Sequence, residues 1–252
     1  MIKLSDRLQI IADITKDSKT MADIGTDHGF LPVYLLQKGL CRKAIMTDIS
    51  ALSLEKARSN CRKYLGKDFE GCEFRQGNGL SVLKPGEVEN VVIAGMGGRL
   101  MVDILSSDKR LTFSFKKFIL QPRIGQGILR KWLLREGFSI VKEDLVREGN
   151  HIPEIITAVS PAFKESLGER AFNFEDYGID EKNDGEIIYR IPPWISEAGG
   201  PAEEFLRRNA EKEKEVIKNV MMSKERHVEA EEIICGNIKY LNKLLERYED
   251  EK

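Results

Sequence analysis

The chain has 252 residues, with 40 Lys and Arg against 41 Asp and Glu, three His and four Cys, for a formal net charge of −1. That length excludes a short peptide hormone and a disulfide-stapled miniature, and it favours one domain of roughly 150 residues with a smaller appendage. No apolar run approaches the roughly 18 residues of a membrane span, and the start MIKLSDRLQI lacks a signal peptide's apolar stretch, so a cytoplasmic protein is expected.

The near-zero charge is unevenly spread. Residues 1–160 carry 25 basic and 19 acidic groups, residues 161–200 carry 4 and 9, and residues 201–252 carry 11 and 13. A basic front part ahead of an acidic remainder suits an anionic partner for the first part alone, or simply solvated faces. Cys41, Cys61, Cys72 and Cys235 form no CxxC pair, and His28, His151 and His227 lie far apart, so no metal site is expected and the thiols read as reduced and structural.

An amphipathic helix opens the chain through Leu4, Leu8 and Ile11. Short apolar runs then follow at 21–24, 44–49, 72–77, 91–95 and 117–122, and the helical patterns PVYLLQKG, SALSLEKARSNCRKYL and GILRKWLLREG lie among them. Strands separated by crossover helices predict a doubly wound, mostly parallel α/β sheet of Rossmann type, covered on both faces. The runs at 138–146 and 153–159 are joined through Gly149-Asn150 and read as an antiparallel hairpin at the sheet edge. A domain over 1–161 follows.

Residues 162–200 hold Pro192-Pro193 and Gly199-Gly200 and read as a connector. Residues 201–252 read as a helical hairpin, Pro201 to Met222 and Lys224 to Tyr248. Its second helix spaces Ile234, Ile238, Leu241, Leu245 and Tyr248 as a coiled-coil seam, matched more loosely by Leu206, Ala210, Ile217 and Val220.

In a doubly wound sheet, ligands lie beyond the carboxyl ends of the strands. The first such end reads Asp23-Ile24-Gly25-Thr26-Asp27-His28-Gly29, with Gly25 and Gly29 permitting a tight turn and a close approach. Asp27 stands where a dinucleotide fingerprint has its middle glycine, which disfavours a pyrophosphate and favours a cofactor with a cationic centre. Asp48 ends the second strand, placed to accept from a ribose diol. Gly77, Asn78 and Gly79 end the third, with Asn78 suited to an adenine edge, and Gly95, Met96, Gly97 and Gly98 end the fourth, leaving room for a flat ring. Taken singly, each is also an ordinary turn or helix cap. Four at successive strand ends favour a binding site.

These residues resemble a known family. LSDRL, MADIGTDHGFLP, GNGL, VVIAGMGG, ILQP, LRKWL and PEIITA are similar to the bacterial tRNA (adenine(22)-N(1))-methyltransferases, over about Leu4 to Val159. The resemblance implies a class I methyltransferase fold that uses S-adenosyl-L-methionine, followed by a small helical domain. It implies Asp23, Gly25 and Gly29 in the cofactor loop, Asp48 on the ribose, Gly77 to Gly79 beside the adenine, and Gly95, Met96 and Gly97 beside the methyl group and incoming base. Asp27 falls on the family's acidic candidate for catalysis. Two departures stand out: Asn78 replaces the family's Asp, and His151-Ile152-Pro153-Glu154 replaces Lys-x-Tyr-Glu.

The implied substrate is tRNA. Candidate contacts are His28 near the base, with Arg58, Arg62, Lys63, Arg130 and Lys131 on phosphates. The hairpin is expected to help hold the tRNA body, with dimerisation of this chain as the competing role. Competing readings of the whole are a class I methyltransferase for another RNA, a protein or a metabolite, and a non-catalytic nucleotide- or RNA-binding module on the same fold.

Overall fold

The computed structural model describes residues 2–16, 18–166, 170–181, 185–223 and 228–250, so His227 and the expected helix start at Lys224 lie outside the described residues. The chain divides into two compact units, residues 1–172 and 173–252.

The first unit is a seven-stranded sheet in the order β3-β2-β1-β4-β5-β7-β6. Its strands are β1 (Thr20–Ile24), β2 (Lys43–Asp48), β3 (Cys72–Gln76), β4 (Asn90–Met96), β5 (Lys117–Pro122), β6 (Ser139–Leu145) and β7 (Glu154–Val159). The first five run parallel, and β7 pairs antiparallel with both β5 and β6. The central strands are buried along almost their whole length, as a sheet covered on both faces requires. The edge hairpin is present, but its second strand lies inside and β6 forms the edge. Mutual backbone hydrogen bonds between Glu148 and His151, at 3.0 and 3.1 Å, close its turn around Gly149, whose φ is +61°.

The helices of this unit are α1 (Asp6–Thr15), α2 (Phe30–Gln37), α3 (Ala51–Leu65), α4 (Gly98–Ser106), α5 (Lys109–Phe113) and α6 (Gln126–Arg135). The Ser50 side chain caps α3 by accepting from the Ser53 amide at 3.2 Å. The sequence pattern does not announce α4, because its glycine-rich start reads as a loop. The helix is held by Met101, Val102, Ile104 and Leu105, all buried.

Two expectations are corrected here. Arg130 does not face RNA: on α6 it is 0% exposed, bonded to Glu143 through Nε at 2.9 Å and Nη2 at 2.6 Å, and to Glu154 through Nη2 at 2.5 Å. Burial opposes its charge, but the two carboxylates outweigh that and hold its pKa above the usual value. A helix that reads as basic on the surface has turned one guanidinium onto the hairpin it covers. Cys61 and Cys72 are not separate thiols but form a disulfide, because α3 docks beside β3; Cys41 and Cys235 are free.

The second unit contains α7 (Ile187–Arg190), a 3-10 turn over Pro193–Ala198, α8 (Ala202–Met221) and α9 (Val228–Asp250). The two long helices pack antiparallel, with Arg207 Nη2 2.8 Å from Glu249 and Asn237 Nδ2 2.9 Å from Glu213. Leu206, Ala210, Ile234 and Leu241 are buried as the seam predicts, and Tyr240 and Leu244 join them. Much of the stretch read as a connector is packed: Ile187, Ile188, Tyr189, Trp194 and Ile195 are buried, and the Tyr240 hydroxyl donates to the Ile191 carbonyl at 2.8 Å. The prolines and glycines there shape turns between packed side chains.

Candidate active site

β1 lies between β2 and β4, so chain connections leave it in opposite directions and a crevice opens beyond its carboxyl end. The four strand ends singled out in the sequence surround that crevice. The loop after β1 folds back on β2, where the Thr47 carbonyl accepts from the amides of Gly25 at 2.8 Å and Thr26 at 3.0 Å. Gly25 has φ +75°, and a Cβ there would collide with Cε of Met96, which ties the ends of β1 and β4 together. Asp27 has φ +43°, the one positive value at a non-glycine among the described residues. A backbone held in this region, rare for side-chain-bearing residues, marks a loop shaped by its surroundings.

Asp23 is 8% exposed, and its Oδ2 accepts from the Thr26 hydroxyl at 2.6 Å. Burial pushes its pKa up to about 6; the Thr26 hydrogen bond opposes this, and the charge of Asp48 adds to it. Two carboxylates at neighbouring strand ends, one of them buried, raise the local preference for a positive ligand. Asp48 Oδ1 accepts from the Ser50 amide at 2.8 Å, and its carbonyl accepts from the Gly77 amide at 3.0 Å. The side-chain amide of exposed Asn78 has no protein hydrogen-bond partner among the described residues.

Asp27 is 58% exposed at its side chain, with His28 Nε2 at 3.3 Å and Lys56 Nζ at 3.6 Å. The His28 ring stacks on Phe30, centroids 5.4 Å apart. At the far side, Gly95 donates its amide to Gln121 Oε1 at 3.2 Å, an oxygen that also accepts from Arg7 Nη1 at 2.8 Å. Thr26, Lys56, Gln121 and Arg7 are not singled out by the sequence pattern. Gln121 is the most findable of them, a polar side chain ending an apolar strand in ILQP.

The expected RNA contacts are less concentrated. Arg58 is half-buried, 3.6 Å from Glu55 and 4.5 Å over the Phe74 ring. Lys63 lies 5.1 Å from the Tyr64 ring, Arg62 is exposed, and Lys131 on α6 is half-buried. Lys56, on the same helix as Arg58, points instead to Asp27.

A family model described as a methyltransferase domain matches residues 4–156. The chain belongs to the methyltransferase-domain family. The tRNA (adenine(22)-N(1))-methyltransferase of Bacillus subtilis is 35% identical over 157 residues, 62% of this chain and 65% of that protein, so the match spans just under two thirds of the relative. A putative tRNA methyltransferase of Mycoplasma pneumoniae is 32% identical over 68% of this chain and 82% of its own. Among solved methyltransferase structures, a putative tRNA (m1A22) methyltransferase of Streptococcus pneumoniae superposes with a TM-score of 0.79 at 25% identity, covering 96% of this chain and all of that one. The Streptococcus protein has also been solved in complex with S-adenosyl-L-methionine. The likeness seen in the motifs is thus borne out by sequence and by fold.

Proposed function

We propose that this chain transfers a methyl group from S-adenosyl-L-methionine to N1 of an adenine in tRNA, at position 22, in the cytoplasm. The observation that carries the reading is the crevice at β1 and β4, with buried Asp23 beside Asp48, Gly25 and Met96 in close contact at its base, and open space beside Gly95. These residues fit a cofactor that is cationic at one end and carries a ribose and an adenine at the other. Asp23 would face its positive part, Asp48 would accept from the ribose, and the Asn78 amide would meet the adenine edge. Asn78 keeps the hydrogen-bonding capacity of the family's Asp at that position without its charge.

Bound S-adenosyl-L-methionine supplies an electrophilic methyl group on a sulfonium. N1 of adenine carries a lone pair at neutral pH, so no residue has to remove a proton before attack. What the chain must supply is orientation, worth several orders of magnitude in rate when reacting atoms are held in line. Gly95, where a Cβ would meet nothing within 4 Å, and Gly97, where it would meet only Ile124 at 3.8 Å, would leave the space for the incoming ring. The methylated base is a cation, and the Asp27 carboxylate would stabilise charge as it develops. Lys56 and His28 hold that carboxylate in position.

N1 lies on the Watson–Crick edge, so the adenine must be unpaired or extruded before it enters. The second unit, with Arg208, Lys212 and Lys214 on α8, would hold the tRNA body. The test is methylation of unmodified tRNA transcripts by the purified chain, with the product nucleoside mapped. N1-methyladenosine at position 22 is the expected result, and a methylated product at any other atom or molecule refutes the assignment.

A further inference from the structure

Unit 1 has seven exposed large apolar side chains among its described residues, and six of them follow a strand's carboxyl end within six residues: Phe30, Ile49, Leu52, Leu100, Ile124 and Ile128. Exposed apolar surface gathered at one end of a fold marks a binding face. Ile49 and Leu52 adjoin Asp48 on the cofactor side. Leu100 and Ile124 lie on the other side, after β4 and β5, at 50% and 73% exposure.

Arg99 and Arg123 stand directly before these two residues, both exposed. Neither has an ion pair or side-chain hydrogen bond among the described residues. Arg7, Arg75 and Arg130 of the same unit are held by carboxylates at 2.5–3.1 Å, whereas Arg99, in the first turn of α4, and Arg123, just after β5, are held by none among the described residues and sit beside exposed apolar side chains at the strand ends. The start of α4 and the segment after β5 that carry them are laced together. The Arg123 amide donates to the Met96 carbonyl at 2.7 Å, and the Gly98 amide donates to the Ile124 carbonyl at 2.7 Å. A Cβ at Gly98 would collide with the Gly125 carbonyl, and Ile124 Cγ1 lies 3.8 Å from where a Cβ of Gly97 would be. The result is a fixed lip of two cations and two apolar side chains, next in sequence to Gly95 and Gly97 at the end of β4.

We propose that Arg99, Leu100, Arg123 and Ile124 form the surface on which the RNA strand flanking the target adenosine docks. The proposal rests on the reading that the substrate is RNA. The guanidiniums engage phosphates on either side of the extruded nucleotide, and Leu100 and Ile124 pack against the exposed faces of its neighbours, which lose their stacking partner when the adenine leaves. A rigid lip meets the strand without first having to be ordered, which preserves binding energy.

The experiment uses the full chain, an unmodified tRNA transcript and two double variants, Arg99→Ala/Arg123→Ala and Leu100→Ser/Ile124→Ser. KM for tRNA, kcat, cofactor affinity and the salt dependence of tRNA binding are measured. Removal of the arginines should raise KM for tRNA about tenfold and flatten the log–log salt slope by about one for each phosphate that is no longer neutralised. Removal of the apolar pair should raise KM about fivefold with the slope unchanged. Cofactor affinity should stay within twofold in both, which also reports intact folding. A wild-type chain active on tRNA whose arginine variant keeps both KM and slope within twofold overturns the docking lip alone. A wild-type chain inert on tRNA refutes the proposed substrate, and the lip with it.

Discussion

Replacing Asp23 by Asn should stabilise the ligand-free protein and weaken its hold on the cofactor. The carboxyl lies one residue before the end of β1 at 8% exposure, with the Thr26 hydroxyl at 2.6 Å and the Asp48 charge nearby. Burial first, opposed by Thr26 and reinforced by Asp48, lifts its pKa from the ordinary 3.8 to about 6. Between those values the folded chain holds the proton more tightly than the unfolded chain does. The associated stability is therefore full below pH 3.8 and lost as pH rises through about 6. At about 1.4 kcal/mol per pH unit, the ionised group costs the fold about 3 kcal/mol at pH 8. Asn accepts the same Thr26 hydrogen bond and never ionises. For a unit of this size the gain should raise Tm by roughly 6–12 °C at pH 8 and vanish near pH 4. The same change removes the charge opposite a cationic ligand, so the Tm rise produced by added S-adenosyl-L-methionine should shrink. Thermal melts of wild type and Asp23→Asn from pH 4 to pH 8, with and without cofactor, carry the test. An equal Tm at pH 8, or a gain of the same size at every pH, refutes the reasoning.

Asp27→Asn should lower kcat about 10²-fold with cofactor affinity unchanged, in keeping with the loss of one electrostatic group at a reaction centre; single-turnover rates under saturating cofactor check it, and retained turnover removes Asp27 from catalysis. Arg130→Met should destabilise the protein by about 3–5 kcal/mol, because Glu143 and Glu154 are left buried without their cation. Urea melts measure this, and a loss below about 1 kcal/mol would mean the two carboxyls find other partners. A chain ending at residue 172 should keep its cofactor affinity and lose affinity for tRNA, read by calorimetry and gel shift. Unchanged tRNA affinity would assign the second unit to another role, dimerisation first among them.

The residues at the four strand ends were legible as a candidate site because each is a local signal. Gly25 and Gly79, with φ of +75° and +58°, are needed where the backbone turns tightly, and Asp23 and Asp48 interrupt apolar strands at the next-to-last and last positions. The parallel sheet was legible for a similar reason, since strands buried on both faces are apolar throughout and the helices between them keep their own period. Helix α4 was hidden because glycines open it, and packing at Met101 and Leu105 holds it in place of a cap.

Residue types along the chain determined by themselves the fold class and which glycines and carboxylates gather at the strand ends beside the switch point. Tertiary structure alone decided which charges are free to meet a partner. Arg130 and Arg123 look alike in sequence, yet the first is enclosed by Glu143 and Glu154 and the second stands exposed beside Ile124. In the same way only the docking of α3 on β3 joined Cys61 to Cys72, and only the fold of the second unit buried Trp194 within an acidic stretch. The reason is that a charge, a thiol or a ring takes its role from neighbours distant in sequence. A turn or a strand takes its shape mainly from its own few residues.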